Sequence, residues 1–525
     1  MDLLHRQTLG DTLRRTARRS PDRLALLFEG RTWTYTQLDT EVNRVAHGLA
    51  GLGIAKGDRV AILSRNSAYF VLLRFALARL GAVLVPINFM LGPAEVAHVL
   101  RHSGARVLCA APDLSGTAAE AAALSTSVDK CVLMGDSAPD GPATGWTPFA
   151  ALVSDPADEP EVDLGADDVA QIVYTSGTES LPKGAMLTHA ALLWQYTAVL
   201  VDAQVARDDI ILHGLPLYHC AQLDVFLGPA VYVGATNVLI DQPRPDVVLP
   251  LIQQHRVSSF FAPPTVWIGL LRSPLFDQTD LSSLRKAYYG ASIMPVEVAK
   301  ELSARLPGVR FWNLYGQTEI APLATTLQPE DLLRKPGSVG KPTLNVETRV
   351  VDLDMRDVAP GEVGEIVHRS PQLLQGYYRD EEKTAEAFDG GWFHSGDLAT
   401  IDEDGYITVV DRKKDMIKSG GENVAGREVE EVVYQLPGVA EVAVVGLPHP
   451  VWIEAVTAVV VPKAGQELAE EAVIAHCRQH LASFKVPKAV VVVDSLPKNP
   501  SGKILKRSLR DAHARLYAVA DATLA

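Results

Sequence analysis

The stretch RVAILSRNSAYFVLLRFALARLGAVLVPIN, Arg59 to Asn88, decides the fold class. RVAILSRN is a short apolar run that reads as a strand. AYFVLLRFALARLG carries a helical pattern and closes on Gly81, a helix stop. AVLVPIN is a strand again. Strand, helix and strand in succession form a βαβ unit, which predicts a parallel sheet covered by helices. Arg74 and Arg79 interrupt the apolar run from Val71 onward, so a buried helix explains it better than a membrane span.

The same rhythm extends outward through ARVLCA, DVAQIVYTS, NVLID and VSSFFAPP. From Gly337 to about Val410 the character changes. Short runs such as TRVVDLDM, GEIVHRS and YITVVD are separated by Gly, Pro and Asp turns, which predicts a more antiparallel, barrel-like part. Charge then clusters in VVDRKKDMIKSGGEN, where a boundary is expected. Beyond it AGREVEEVVYQLPG reads as a helix, AEVAVVGL and EAVTAVVVPK as strands, EEAVIAHCRQHLASFK as a helix and KAVVVVDSLP as a strand. The Ala/Ser/Asp/Pro-rich stretch from Ala111 to Asp163 is expected to be partly an exposed excursion.

The totals fit this. At roughly 150 residues per domain, 525 residues suggest three or four units. A hydrophobic content of 47% supports a large core. A net charge of −14 argues against a general nucleic-acid or anionic-membrane binder, while leaving room for a local phosphate pocket. Cys109, Cys131, Cys220 and Cys477 are far apart, with no Cys-x-x-Cys pair. Structural zinc and a disulfide framework are disfavoured, and a cytoplasmic location is expected. The arginine-rich start DTLRRTARRSPDR lacks an apolar h-region and reads as a solvated helix face.

Four segments carry chemistry. IVYTSGTESLPKGAMLTH, Ile172 to His189, follows a strand and precedes a helix that Thr188 could cap. Its small residues allow a nest of backbone N–H groups for phosphate. Thr175, Ser176 and Thr178 add hydroxyl donors and Lys183 a point charge. It is not a P-loop, because Thr175 and Ala185 stand where Gly and Ser/Thr belong. FWNLYGQTE offers Tyr315 to stack on a base, Gly316 for close approach, Thr318 as a donor and Glu319 as a hard ligand for Mg²⁺. WFHSGDLATIDEDGYITVVDRKKD holds Asp397, whose carboxylate could accept from both ribose hydroxyls. PKNPSGKILKRSLR holds Lys503 in a turn. Taken singly, each reads as an ordinary turn, core aromatic or solvated charge.

In this order the four segments resemble the adenylate-forming superfamily of acyl-CoA synthetases, aryl-CoA ligases, luciferases and peptide-synthetase adenylation domains. The resemblance runs from TWTYTQLD to SGKILKRSL. It implies an α/β protein. A large N-terminal domain (1–410) would contain two parallel-sheet αβα subdomains and a barrel-like subdomain. A hinge (411–414) would lead to a small mobile α+β C-terminal domain (415–525). It implies an ATP-dependent ligase that makes an acyl-adenylate and passes the acyl group to coenzyme A.

The resemblance also implies roles. Thr175, Ser176, Gly177, Thr178 and Lys183 would hold the β- and γ-phosphates. Gly290, Ala291 and Ser292 would lie beside adenine and the acyl group. Tyr315 would pack on adenine, Thr318 reach the phosphate and Glu319 hold Mg²⁺. Asp397, helped by Arg412, would take the ribose. Asn313 and Gly316 join this nucleotide set. Lys503 would contact the carboxylate and α-phosphate. Lys414 matches the hinge, and Gly420 and Gly421, with Lys418, the coenzyme A side reached after rotation.

In LPLYHCAQ, His219 would stand at the acyl pocket near the reacting carboxylate; the plainer reading is a helix-start His with a satisfied hydrogen bond. An amino acid substrate is disfavoured, because this segment has no Asp for the amine, and Asp224 is read as a helix-dipole partner. The pocket would be built from 219–223, 260–267, 288–292 and 317–323, which contain no Arg or Lys. That favours an apolar monocarboxylic acid, with a medium- or long-chain fatty acid as the finer expectation. An aryl or other specialised carboxylate, or loading of a carrier protein, stays as the alternative. No nucleic acid or integral membrane contact is expected, and a homodimer is left open. Departures are Thr178-Glu179-Ser180 for the usual Thr-Thr-Gly, Ala425-Gly426 for the proline after GEN, and Ile453 for the usual glycine. Glu179 aimed at a triphosphate oxygen ~4 Å away would cost roughly 4 kcal/mol at an effective dielectric near 20. Its side chain is therefore expected to turn away and leave the backbone N–H to the phosphate.

Overall fold

The computed structural model describes residues 5–136, 140–175, 182–292, 294–413 and 415–517. The expected βαβ unit is present. Strands Arg59–Leu63 and Val83–Ile87 pair in parallel, joined by helix Ala68–Leu80. Ser67 caps the helix by accepting from the Phe70 N–H, and Gly81 ends it at φ 66°. Arg74 and Arg79 are both buried, yet neither charge is bare: Arg74 pairs with Asp224 at 2.9 Å and Arg79 with Asp39.

This unit lies in an eight-stranded sheet. Its spatial order is Gly376–Tyr377, Lys183–Thr188, Val169–Thr175, Val83–Ile87, Arg59–Leu63, Val107–Ala110, Lys130–Leu133 and Thr147–Pro148. The last two strands, four and two residues long, come from the Ala111–Asp163 stretch and tie it to the sheet edge, while much of the rest is exposed or half-buried. A nine-stranded sheet packs against the first, with Arg310–Gly316, Lys286–Gly290, Ser259–Phe261, Ile210–His213 and Thr236–Leu239 among its strands. One apolar core joins the two: Val60, Ile62 and Leu84 meet Leu26 and Leu239 through Leu72, Leu73 and Leu77 of the buried helix.

The structure adds one element to the sequence reading and changes one expectation. A strand lies between the phosphate loop and the expected helix. Val169–Thr175 and Lys183–Thr188 form an antiparallel pair in which Thr175 faces Lys183. The helix His189–Asp202 follows, and Thr188 does cap it, accepting from the Ala191 N–H at 3.1 Å. The N-terminal helix Leu9–Arg19 is not merely solvated. It buries Leu9, Leu13 and Ala17, and Arg6 and Arg14 are drawn to the buried Asp11.

The barrel-like part is a four-stranded antiparallel sheet, Glu347–Val351, Gly364–Arg369, Phe393–Ile401 and Ile407–Arg412. Beyond it, Ile417–Val492 supply a five-stranded sheet with its own core around Val444, Val456 and Val460. The long hairpin Val439–His449 and Ile453–Pro462 is its centre. No helix among the described residues is long and apolar enough to cross a membrane.

Candidate active site

A cavity of about 1270 Å³ opens where both large sheets, the four-stranded sheet and the C-terminal unit meet. Most residues singled out in the sequence line it, and they fall into three groups.

The first group is built on strand Arg310–Gly316. Alternation along the strand places Asn313 and Tyr315 on one face. The Tyr315 hydroxyl donates to Asp397 Oδ2 at 2.7 Å, and Arg412 Nε donates to Asp397 Oδ1 at 3.0 Å. Asp397 and Arg412 face each other in the antiparallel ladder, so the pairing is set by register. Each Asp397 oxygen keeps a lone pair for a further donor. Asn313 Nδ2 is held by the Ser338 carbonyl at 2.8 Å. A Cβ on Gly316 would lie 1.8 Å from the Pro322 carbonyl oxygen, so no side chain fits there. Ala291 and Ser292 line the cavity beside this group; Gly290 does not, and its Cβ would meet the Leu314 oxygen at 2.3 Å.

The second group gathers around Tyr377. Lys183 Nζ sits 5.0 Å above its ring, and its hydroxyl donates to Glu319 Oε1 at 3.0 Å. Thr175 borders the same space. Glu319 touches the cavity but is enclosed by protein atoms, and this desolvation raises its carboxyl above the usual range. Such a group favours a cation partner, so it fits a divalent metal. Gln317 Nε2 is buried with no partner among the described residues and lies on the cavity wall, as fits a site that receives a polyoxygen ligand. Ser176, Gly177, Thr178, Glu179 and Lys414 lie outside the described residues.

The third group surrounds Lys503. Its turn is tied by Asn499, whose Oδ1 accepts from the Lys503 N–H at 2.8 Å and from the Ser501 hydroxyl at 2.8 Å. Thr265 donates to the Gly502 carbonyl at 3.2 Å, docking the turn on the nine-stranded side. His219 starts the short helix Cys220–Gln222, as its plainer reading has it, and also lines the cavity. Its Nδ1 accepts from the Ala221 N–H at 3.1 Å, which leaves the proton on Nε2. Burial, reinforced by the Lys503 charge, pushes His219 down to about 4. Thr318 Oγ1 lies 3.4 Å from Cys220 Sγ.

His219 is therefore expected to remain a neutral Nε2–H donor at pH 5.5–8. ¹⁵N imidazole shifts measured across that range should show no titration for this residue; a midpoint near 6.5 would count against it. Its folded value lies below the unfolded one, so its stability contribution is complete above about 6.5 and declines as pH falls toward 4.

Besides Gly290, three of the described residues singled out in the sequence for the site do not line the cavity. The Gly420 N–H donates to the Trp452 carbonyl at 2.9 Å and the Lys418 N–H to Glu454 at 2.7 Å; neither they nor Gly421 line the cavity. Asp224 is corrected too. It is fully buried in the π-helical turn Leu223–Leu227, where it accepts from Arg74 and from Gln171 Nε2 at 2.7 Å. A helix-dipole role is displaced by a buried ion pair.

All four stretches expected at the acyl pocket contribute walls, through residues such as Ala221, Phe261, Tyr289 and Leu323. The sequence reading missed Ile87 and Asn88, at the carboxyl end of a parallel strand where ligand crevices form, and Arg427. Strand order could have flagged Asn88; nothing local flags Arg427.

Comparison with known proteins agrees. Residues 13–378 match the model of the AMP-binding enzyme family, and residues 428–503 that of the AMP-binding enzyme C-terminal domain. Feruloyl-CoA synthase of an Amycolatopsis species is 41% identical, over 97% of this chain and 99% of that protein. The long-chain-fatty-acid–CoA ligase FadD13 of Mycobacterium tuberculosis is 37% identical, over 97% and 99%. The structure of the anthranilate CoA ligase AuaEII with anthranoyl-AMP superposes with a TM-score of 0.91 at 28% identity, covering 98% of each chain. Fold and site thus define an adenylate-forming enzyme. The chain belongs to the AMP-binding enzyme family, in its acyl-CoA synthetase branch, and is an acid–thiol ligase.

Proposed function

We propose that the chain joins an aryl monocarboxylic acid to coenzyme A in two half-reactions at this cavity. ATP, Mg²⁺ and coenzyme A are its cofactors. In the first step the carboxylate displaces pyrophosphate from ATP, giving an acyl-adenylate; in the second, the thiol of coenzyme A displaces AMP. The observation that carries the reading is the shared cavity: Tyr315, Asp397 and Arg412 at one wall, Lys183 and Glu319 at a second, Lys503 and His219 at a third.

Asp397 would accept the ribose hydroxyls while Arg412 and Tyr315 keep it aimed. Lys183 and Thr175 would meet the terminal phosphates and Glu319 would hold Mg²⁺, which eases charge on the phosphates. Lys503 would lie between two anions that must approach, and His219 Nε2–H would orient the acid. Prearranged cations and donors lower the cost of that approach. The carboxylate is already ionised, so no general base is required. We assign residues 1–410, 411–414 and 415–525 as body, hinge and mobile unit. Rotation of the last would withdraw Lys503 and bring in Gly420 and Gly421, a gate of a common kind. We place the reaction in the cytoplasm, with its ATP and coenzyme A.

The aryl reading is supported by the 41% identity to feruloyl-CoA synthase and by the Phe261 and Tyr289 walls. The identity to FadD13, with Val225, Ile268 and Leu323, favours a medium- or long-chain fatty acid as second reading. AMP release with ATP and coenzyme A, across ferulate, cinnamate, octanoate and palmitate, separates them. Aryl acids should give the larger kcat/KM; fatty acids ahead by tenfold would overturn the aryl reading. Thioester formed on a carrier protein but not on coenzyme A would overturn the acceptor.

A further inference from the structure

Arg427 breaks two local rules. It occupies the second position of helix Gly426–Tyr434, where the N-terminal dipole opposes a cation, and it is only 9% exposed. Its return comes from the other part of the chain. One guanidinium nitrogen donates to the Gly337 carbonyl at 2.9 Å, the other to the Val409 carbonyl. Gly337, at φ 78°, leaves room for this, since a Cβ there would sit 3.1 Å from the guanidinium. Around it lie Tyr289 of the nine-stranded sheet, Asp411 of the four-stranded sheet, and Glu430 and Glu431 of its own helix. Both carbonyls precede the hinge, and the helix belongs to the unit that carries Lys503. Among the described residues the rest of the docking includes Thr265 on Gly502, the Gly426 N–H on Asp411 at 2.9 Å, the charged side chains near Asp411, and Glu431 with the Val296 backbone.

We propose that Arg427 is a positioning residue for adenylation: its guanidinium clamps the C-terminal unit onto the Gly337 and Val409 carbonyls and so keeps Lys503 in the cavity. A planar fork of donors can hold two carbonyls at once, which an ammonium cannot match. Arg427 touches no reacting atom. It favours one stance of the mobile unit, so it aids the first half-reaction and must be released for the second. The proposal rests on the two-stance reading above.

The test uses the full-length chain with Arg427→Ala and Arg427→Lys. ATP–pyrophosphate exchange with ferulate should fall on the order of a hundredfold or more in Arg427→Ala, the scale of losing two charged hydrogen bonds. Thioester formation from synthetic feruloyl-adenylate and coenzyme A should hold or rise, and Arg427→Lys should recover part of the exchange. Equal losses in both half-reactions would overturn the clamp. A second arm needs no acid. The four native cysteines are buried or half-buried, so spin labels can go on Leu344→Cys and Val451→Cys, at positions 60% and 73% exposed. The distance between them should be dominated by one population in the otherwise unaltered chain and shift toward a second in Arg427→Ala. An unchanged distribution overturns the clamp, whereas inactivity with ferulate alone strikes only the aryl reading.

Discussion

Replacing Lys503 with Ala is expected to lower acyl-adenylate formation by two to three orders of magnitude, about the effect of removing one prearranged charge-stabilising group. Conversion of supplied acyl-adenylate to thioester should stay near the wild-type rate. The asymmetry follows from the site. In this stance Lys503 borders the cavity, and its turn is braced by Asn499 and by Thr265 on Gly502. Gly420 and Gly421 stand outside. A residue needed in one stance and withdrawn in the other should cost one half-reaction. Single-turnover measurement of each half-reaction decides it, and equal loss in both would count against two stances. The variant also separates charge from docking. Lys503→Ala should leave the label-to-label distance of the mobile unit unchanged, whereas Arg427→Ala should alter it.

Much of this was legible in the sequence because the relevant signals are local. The run from Arg59 to Asn88 shows its strand–helix–strand order in apolar spacing and a terminal glycine, and the structure follows it. Tyr315, Thr318 and Glu319 are near neighbours, so one strand and its following turn place them together. What failed to show depends on partners far away in the chain. Asp224 looked like a first-turn carboxylate; its cation is Arg74, 150 residues earlier. The strand after the phosphate loop was hidden because KGAMLT has no clear alternation, and its pairing with Val169–Thr175 is tertiary. Arg427 carries no local mark, since its meaning lies in the carbonyls of Gly337 and Val409.

The second large effect concerns that Arg74–Asp224 pair. Both side chains are at most 3% exposed, and Asp224 also accepts from Gln171 and lies 3.5 Å from the Tyr196 hydroxyl. Truncating Arg74 to Ala leaves a carboxylate buried without its cation, a loss of about 3–5 kcal/mol. Urea midpoints of the full chain should fall accordingly. The loss should shrink in acid, because burial already raises the Asp224 carboxyl and protonation removes the uncompensated charge. Arg74→Met with Asp224→Leu should recover most of the stability, since an apolar pair of similar volume avoids desolvating two ions. A double variant no better than the singles would contradict this. Recovery of stability need not restore function. Asp224 anchors the π-helical turn Leu223–Leu227, which carries Val225 on the cavity wall and follows His219 closely. If the pair fixes the rotation of that turn, the stable double variant should still show a raised KM for the acid with KM for ATP unchanged. That split would assign the pair to the shape of the acyl pocket, and not only to the stability of the fold.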